Sequence, residues 1–133
     1  MPHLLGIDAG TSSVKAALFD AEHGIIAEAS VDCSPGYTPD GFVELPMKRY
    51  WDSCVQCLDI IRHASEKGFN NVKAVSVSSQ GMTFVPVDVN GCELGNAIVA
   101  YDNRAREEAE RDQAFRSKKY FRCYRTAGEH ILF

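Results

Sequence analysis

The chain has 133 residues, 14 of them basic and 18 acidic, for a formal net charge of −4, with 45% hydrophobic and 24% charged residues. That length suits one domain with a real core, and the composition is that of an ordinary globular protein rather than a disordered or fibrous one. No run of about 18 apolar residues occurs, which excludes a membrane-spanning helix, and the negative balance gives no electrostatic ground for a nucleic-acid partner. Met1-Pro2-His3, with Asp8 inside the first apolar segment, lacks the basic-then-apolar order of an export signal, so a cytoplasmic location is expected. The charge is uneven: residues 113–133 carry five basic residues and one acid, leaving −8 on the first 112. Five cysteines (Cys33, Cys54, Cys57, Cys92, Cys123) are an odd number, and free thiols are expected.

In chain order, residues 4–8, 14–20 and 25–31 are short apolar segments separated by tight turns, which predicts three antiparallel strands. A loop with Pro35, Gly36, Pro39 and Gly41 leads to Pro46, a suitable first helical position. From 47 to 67, Trp51, Cys54, Val55, Leu58 and Ile61 recur at helical spacing, with Trp51 as core anchor and Gly68 as C-terminal cap. Cys54 and Cys57 lie on that stripe, without the second pair that a zinc site needs, so they read as packing residues. Residues 72–77 predict a strand returning to the sheet through a parallel crossover. Segments 83–89 and 92–100 flank Asn90-Gly91, a hairpin signal, although Pro86 weakens the first. Residues 104–115 read as a charged helix with Arg106–Glu110 and Glu107–Arg111 pairs. His3, His23, His63 and His130 show no ligand spacing and read as surface residues. The layout is α/β: a mixed sheet of three antiparallel strands, then a crossover helix and a parallel strand, in the ribonuclease-H-like order.

Three segments carry chemistry. In Gly6-Ile7-Asp8-Ala9-Gly10-Thr11-Ser12-Ser13-Val14-Lys15 an acid ends a buried strand and a turn of glycine and hydroxyl residues follows. Backbone N–H groups in such a turn make an anion-binding concavity, the hydroxyls of Thr11, Ser12 and Ser13 add donors, and Lys15 adds a cation. Asp8 would repel a phosphate directly, so its natural work beside one is to orient Mg²⁺ or its water shell. Neither Gly-x-x-x-x-Gly-Lys-Ser/Thr nor Gly-x-Gly-x-x-Gly occurs there. The other reading of the segment is a plain hairpin turn. Second, Ser79-Gln80-Gly81-Met82 ends the crossover strand, where ligands bind in open α/β sheets. Gln80 offers a donor and an acceptor, as a polyol requires, whereas Met82 also reads as a packing residue. Third, Asp102-Asn103-Arg104 follows an apolar segment, and Asp102 is equally placed to cap the next helix.

Taken together, Asp8-x-Gly10-Thr11-Ser12-Ser13-x-Lys15, Glu44-x-Pro46 with Trp51, Gln80, Asn90-Gly91 and Asp102-x-Arg104 resemble the N-terminal part of the FGGY family of carbohydrate kinases. Gln80 is followed by Gly81-Met82, whereas xylulokinases have Met-His-Gly and glycerol kinases Arg-Glu there. The resemblance implies an actin-like ATPase domain and ATP- and Mg²⁺-dependent phosphorylation of a sugar or polyol hydroxyl. It places Gly10, Thr11, Ser12, Ser13 and Lys15 at the phosphates, Asp8 at the metal, and Gln80, Gly81, Met82, Asp102 and Arg104 at the sugar. It further implies that residues 1–133 form the N-terminal part of the first domain, with 113–133 peripheral. The catalytic base belongs to a second actin-like domain absent from these residues, so the chain is expected to be inactive alone. A bare apolar surface, through which copies could associate, is expected in consequence. The alternatives are another actin-like ATPase, or a non-catalytic remnant or binding module using its basic tail.

Overall fold

The computed structural model describes residues 2–112. The chain divides into two compact units, 1–102 and 103–133. The first contains β1 (His3–Ala9), β2 (Ser13–Asp20), β3 (Gly24–Asp32), β4 (Gly36–Tyr37), β5 (Val43–Leu45), α1 (Met47–Ala64), α2 (Glu66–Asn70), β6 (Val72–Ser79) and β7 (Ala97–Ile98). One sheet runs β3-β2-β1-β6 and a smaller one β4-β5-β7. β1 and β2 are antiparallel, as are β2 and β3, while β6 returns parallel to β1 through α1 and α2. This is the mixed sheet expected from the sequence.

Alternation along β2 sets the faces of the sheet. Val14, Ala16 and Leu18 are buried and Lys15 and Phe19 exposed, as a half-covered strand requires. The buried face, with Leu5 of β1 and Ala27 of β3, packs against Cys57 and Ile61 of α1. Val43, Leu45, Ala97 and Val99 form a second core at the small sheet.

Several expectations change. The buried stripe of α1 is Ser53, Cys57 and Ile61, with Tyr50, Cys54 and Leu58 partly buried beside it. Trp51 is 69% exposed and is not a core anchor. At about 100° per residue it lies on the side of the helix opposite Ser53. A small serine holds the stripe because its hydroxyl is satisfied locally, donating to the carbonyl of Arg49 at 3.0 Å. Pro46 is the N-cap rather than the first helical residue. Gly68 is not the cap of α1, which ends at Ala64, but is buried inside α2. A Cβ there would lie 3.1 Å from both Leu18 and Ile26, so the glycine lets α2 press on the sheet.

The Asn90-Gly91 hairpin forms, but with a three-residue loop: the N–H of Asp88 donates to the carbonyl of Cys92 at 2.8 Å. The Asp88 carboxylate accepts from the N–H groups of Asn90 and Cys92, each at 2.8 Å, which holds its pKa below the usual carboxylate range. Pairing beyond the loop is reduced to the bridges Val87–Glu93 and Phe84–Ile98, since Pro86 has no N–H to give a ladder. In the second unit helix begins at 106, two residues later than expected. It carries both expected pairs, Arg106–Glu110 at 3.0 Å and Arg111–Glu107 at 3.3 Å. The expectations about 113–133, Cys123 and His130 lie outside the described residues.

β6 is an edge strand of its sheet, and α1 lies over β2 and β3. Val75 and Val77 share the α1 face with Leu5 and Ile7 through the β1–β6 register. They are nevertheless 57% and 64% exposed, the bare apolar surface that the sequence implied.

The phase of α1 is directly testable. Ile61→Ala should cost about 2–5 kcal/mol in urea unfolding, and Trp51→Ala less than about 0.5 kcal/mol. The reverse ranking would contradict this packing.

Candidate functional site

β1 delivers Asp8 and β2 delivers Lys15, which are partners in the antiparallel register, while Ser78 of β6 flanks Asp8 on its other side. Asp8 and Lys15 are both exposed, on the sheet face opposite α1. They line a shallow depression of about 650 Å³ together with Glu28, Ser30, Ser76 and Ser78. The strands thus bring a carboxylate, an ammonium and several hydroxyls to one surface.

The turn at 10–13 follows directly. Gly10 is needed for its closure: its N–H donates to the carbonyl of Ser13 at 3.1 Å. A Cβ at Gly10 would come 2.9 Å from that same oxygen. The sequence suggested that Gly10 clears room for a ligand; the tight contact within the turn is the reason the structure supplies. The carbonyl of Ala9 accepts from the Tyr50 hydroxyl at 2.6 Å and from the N–H of Gln80 at 3.0 Å. That of Gly10 also accepts from Tyr50, at 3.2 Å. The carbonyl of Ser12 accepts from the N–H of Cys33 at 2.9 Å and the hydroxyl of Ser34 at 3.3 Å. Every carbonyl named, the groups that would repel a phosphate, is therefore engaged within the chain. Thr11 and Ser13 are half-buried and Ser12 exposed.

Tyr50 is a side chain of the candidate site that motif reading passed over. It lies on the buried stripe of α1 three residues before Ser53, and a tyrosine on such a stripe needs a partner for its hydroxyl. Burial pushes its pKa up, which keeps the hydroxyl a donor. Burial likewise raises the thiol pKa values of Cys33, Cys54 and Cys57, consistent with inert packing groups.

Gln80 sits where β6 ends. Its Nε2 donates to the Tyr50 oxygen at 3.4 Å, and its Oε1 accepts from the Thr83 hydroxyl at 3.0 Å. Tyr50, Gln80, Thr83, Phe84 and Val85 line a smaller depression of about 190 Å³ beside Ala9. Gly81 and Met82 are exposed. Met82, 85% exposed, is not a packing residue, and its φ of 55° puts it in the left-handed region, where non-glycine residues are strained. The Asp102 carboxylate accepts from the N–H of Val43 at 2.6 Å, tying the end of the first unit to the small sheet. Arg104, half-buried, belongs to the second unit.

Residues 3–128 match the model of the N-terminal domain of the FGGY family of carbohydrate kinases. The chain belongs to that family. The L-xylulose/3-keto-L-gulonate kinase of Escherichia coli (strain K12) is 34% identical over 113 residues, covering 82% of this chain and 22% of that kinase. A glycerol kinase of Alcanivorax borkumensis is 33% identical over 117 residues, covering 85% of this chain and 23% of its own length. A solved xylulose kinase from Brucella ovis aligns with a TM-score of 0.76 at 29% identity, over 86% of this chain and 25% of that one. The FGGY chain thus spans a quarter or less of each relative named here, and shares the fold of the Brucella ovis kinase over that span.

Tyr50→Phe removes the hydroxyl that engages Ala9 and Gly10. It should lower stability by about 1 kcal/mol and speed amide exchange at Gly10 and Gln80. Unchanged exchange at both would contradict the role given to this side chain.

Proposed function

We propose that this chain is the N-terminal part of an ATP-dependent sugar or polyol kinase, lying in the first of two actin-like domains. The observation that carries the reading is the turn at 10–13, its carbonyl groups engaged inward, next along the chain from Asp8 and joined through Ala9 to Gln80. Phosphoryl transfer is mostly a matter of positioning and of neutralising charge on the transferring group. Thr11, Ser12 and Ser13 offer N–H and hydroxyl donors for phosphate oxygens, Gly10 closes the turn that presents them, and Lys15 offers a cation.

Asp8 suits Mg²⁺: it is an exposed hard oxygen donor with Ser78 beside it in the register. When bound, Mg²⁺ supplies charge neutralisation at the phosphates. Asp8 is therefore an orienting group, and the family resemblance assigns the carboxylate that accepts the hydroxyl proton to a second actin-like domain. Gln80, with its amide donor and acceptor, binds hydroxyls of the substrate, and Gly81 and Met82 line the same place. Asp102, which ends the first unit, helps shape it. The relatives named above are kinases of L-xylulose and glycerol, which makes a short polyhydroxylated carbon chain the expected substrate.

Division of the chemistry between two domains predicts no ATP-dependent phosphorylation of any ketose or polyol by the chain alone; turnover would overturn that division. Binding should survive. At tenfold excess over Kd the right sugar stabilises the chain by about 1.4 kcal/mol, a rise of several degrees in Tm that Gln80→Ala abolishes. A rise that persists in Gln80→Ala, or none across xylulose, glycerol and their stereoisomers, would contradict the assignment of Gln80.

A further inference from the structure

The Tyr50 hydroxyl has a single proton, which it shares between the carbonyl of Ala9 at 2.6 Å and that of Gly10 at 3.2 Å. Toward Gln80 the same oxygen can therefore only accept. That fixes the carboxamide: Nε2 faces Tyr50 at 3.4 Å, and Oε1 faces Thr83, whose hydroxyl donates to it at 3.0 Å. The donors all point the same way, from Thr83 through Gln80 and Tyr50 to the turn at 10–13. Hydrogen bonds joined head to tail in this manner polarise one another.

The series continues past the carbonyl groups. The carbonyl of Gly10 and the N–H of Thr11 belong to one conjugated peptide unit, so a donor on the first makes the second a stronger donor. The Thr11 N–H is one of the groups assigned above to a phosphate oxygen. At the other end, a carboxamide oxygen has two lone pairs. Thr83 uses one of those on Gln80. The other is left for a substrate hydroxyl in the depression of about 190 Å³ that Tyr50, Gln80 and Thr83 line.

We propose that the Tyr50 hydroxyl couples the two halves of the site, so that a polyol held at Gln80 and a phosphate held at the turn raise each other's affinity. The coupling rests on the kinase reading of this site and adds to it a positioning role for two side chains outside its motifs, Tyr50 and Thr83. A substrate hydroxyl that donates to Oε1 of Gln80 makes Nε2 a stronger donor to Tyr50. Tyr50 in turn becomes a stronger donor to the carbonyl groups of the turn, and the Thr11 N–H holds a phosphate oxygen more tightly. Thr83 anchors the amide so that this order is kept. The effect runs equally in both directions, because a coupling free energy belongs to the pair of ligands.

The test is the Kd of Mg²⁺·ADP, followed by amide chemical shifts of the chain, without and with saturating xylulose or glycerol. The polyol should tighten nucleotide binding about fivefold, and the nucleotide should tighten polyol binding by the same factor. Tyr50→Phe should bring that factor to one, whatever it does to either affinity alone. Thr83→Val should lower the factor, and Thr83→Ser, which keeps the hydroxyl, should preserve it. A merely structural role for either side chain would shift both affinities and leave the factor intact. A factor of one in the unsubstituted chain, or one that survives Tyr50→Phe, would overturn the coupling while the site itself stands. A factor unchanged by Thr83→Val would overturn the role of Thr83. Failure of the nucleotide or of both polyols to bind the unsubstituted chain would overturn the reading of the site, and the coupling with it.

Discussion

The hydroxyl of Tyr50 donates to the carbonyl of Ala9 at 2.6 Å, and much of the site is arranged around that bond. A backbone turn presents its N–H groups to an anion best when its carbonyl oxygens are held away from it, because each carries a partial negative charge. Tyr50 engages two of them, and Cys33 and Ser34 engage that of Ser12. The position of Tyr50 depends in turn on the phase of α1, set by Cys57 and Ile61 against β2 and β3. The core therefore fixes the helix, the helix fixes the tyrosine, and the tyrosine fixes the turn. The Tyr50 oxygen in turn accepts from Nε2 of Gln80 at 3.4 Å, so the turn at 10–13 and the end of β6 share one hydrogen-bonded group.

The sheet separates its labours by face. One face of β1 and β2 is given to packing on α1, and the other presents Asp8 and Lys15. Because strand side chains alternate, a one-residue slip of β1 would exchange Asp8 for Ile7 or Ala9 and destroy the site while keeping the sheet. The bare valines of β6 mark where the packed face continues past α1, in a chain that spans a quarter or less of its relatives.

Much of this was legible in the residues. Alternation in β1 and β2 and the tight turns between strands gave the sheet and its directions, and Asp8, Gly10 and Lys15 are local enough in sequence to be read together. What failed was phase and competition. Helical spacing alone admits two stripes on α1, and hydrophobicity favoured the one containing Trp51. Packing chose the other because Ser53 satisfies its own hydroxyl. Gly68 looked like a cap because α2 is too short to announce itself. Tyr50 was missed because its partners, Ala9 and Gln80, are 41 and 30 residues away, and no local pattern encodes such a contact.

The central claim is that the turn at 10–13 is a phosphate site built by inward-facing carbonyl groups. Amide chemical shifts of the chain titrated with Mg²⁺·ADP test it most directly. The account predicts that the largest changes fall at Gly10, Thr11, Ser12 and Ser13, with Lys15 following, and that Tyr50→Phe reduces them. Saturating nucleotide that leaves these amides unmoved, or that perturbs the small sheet instead, would contradict it.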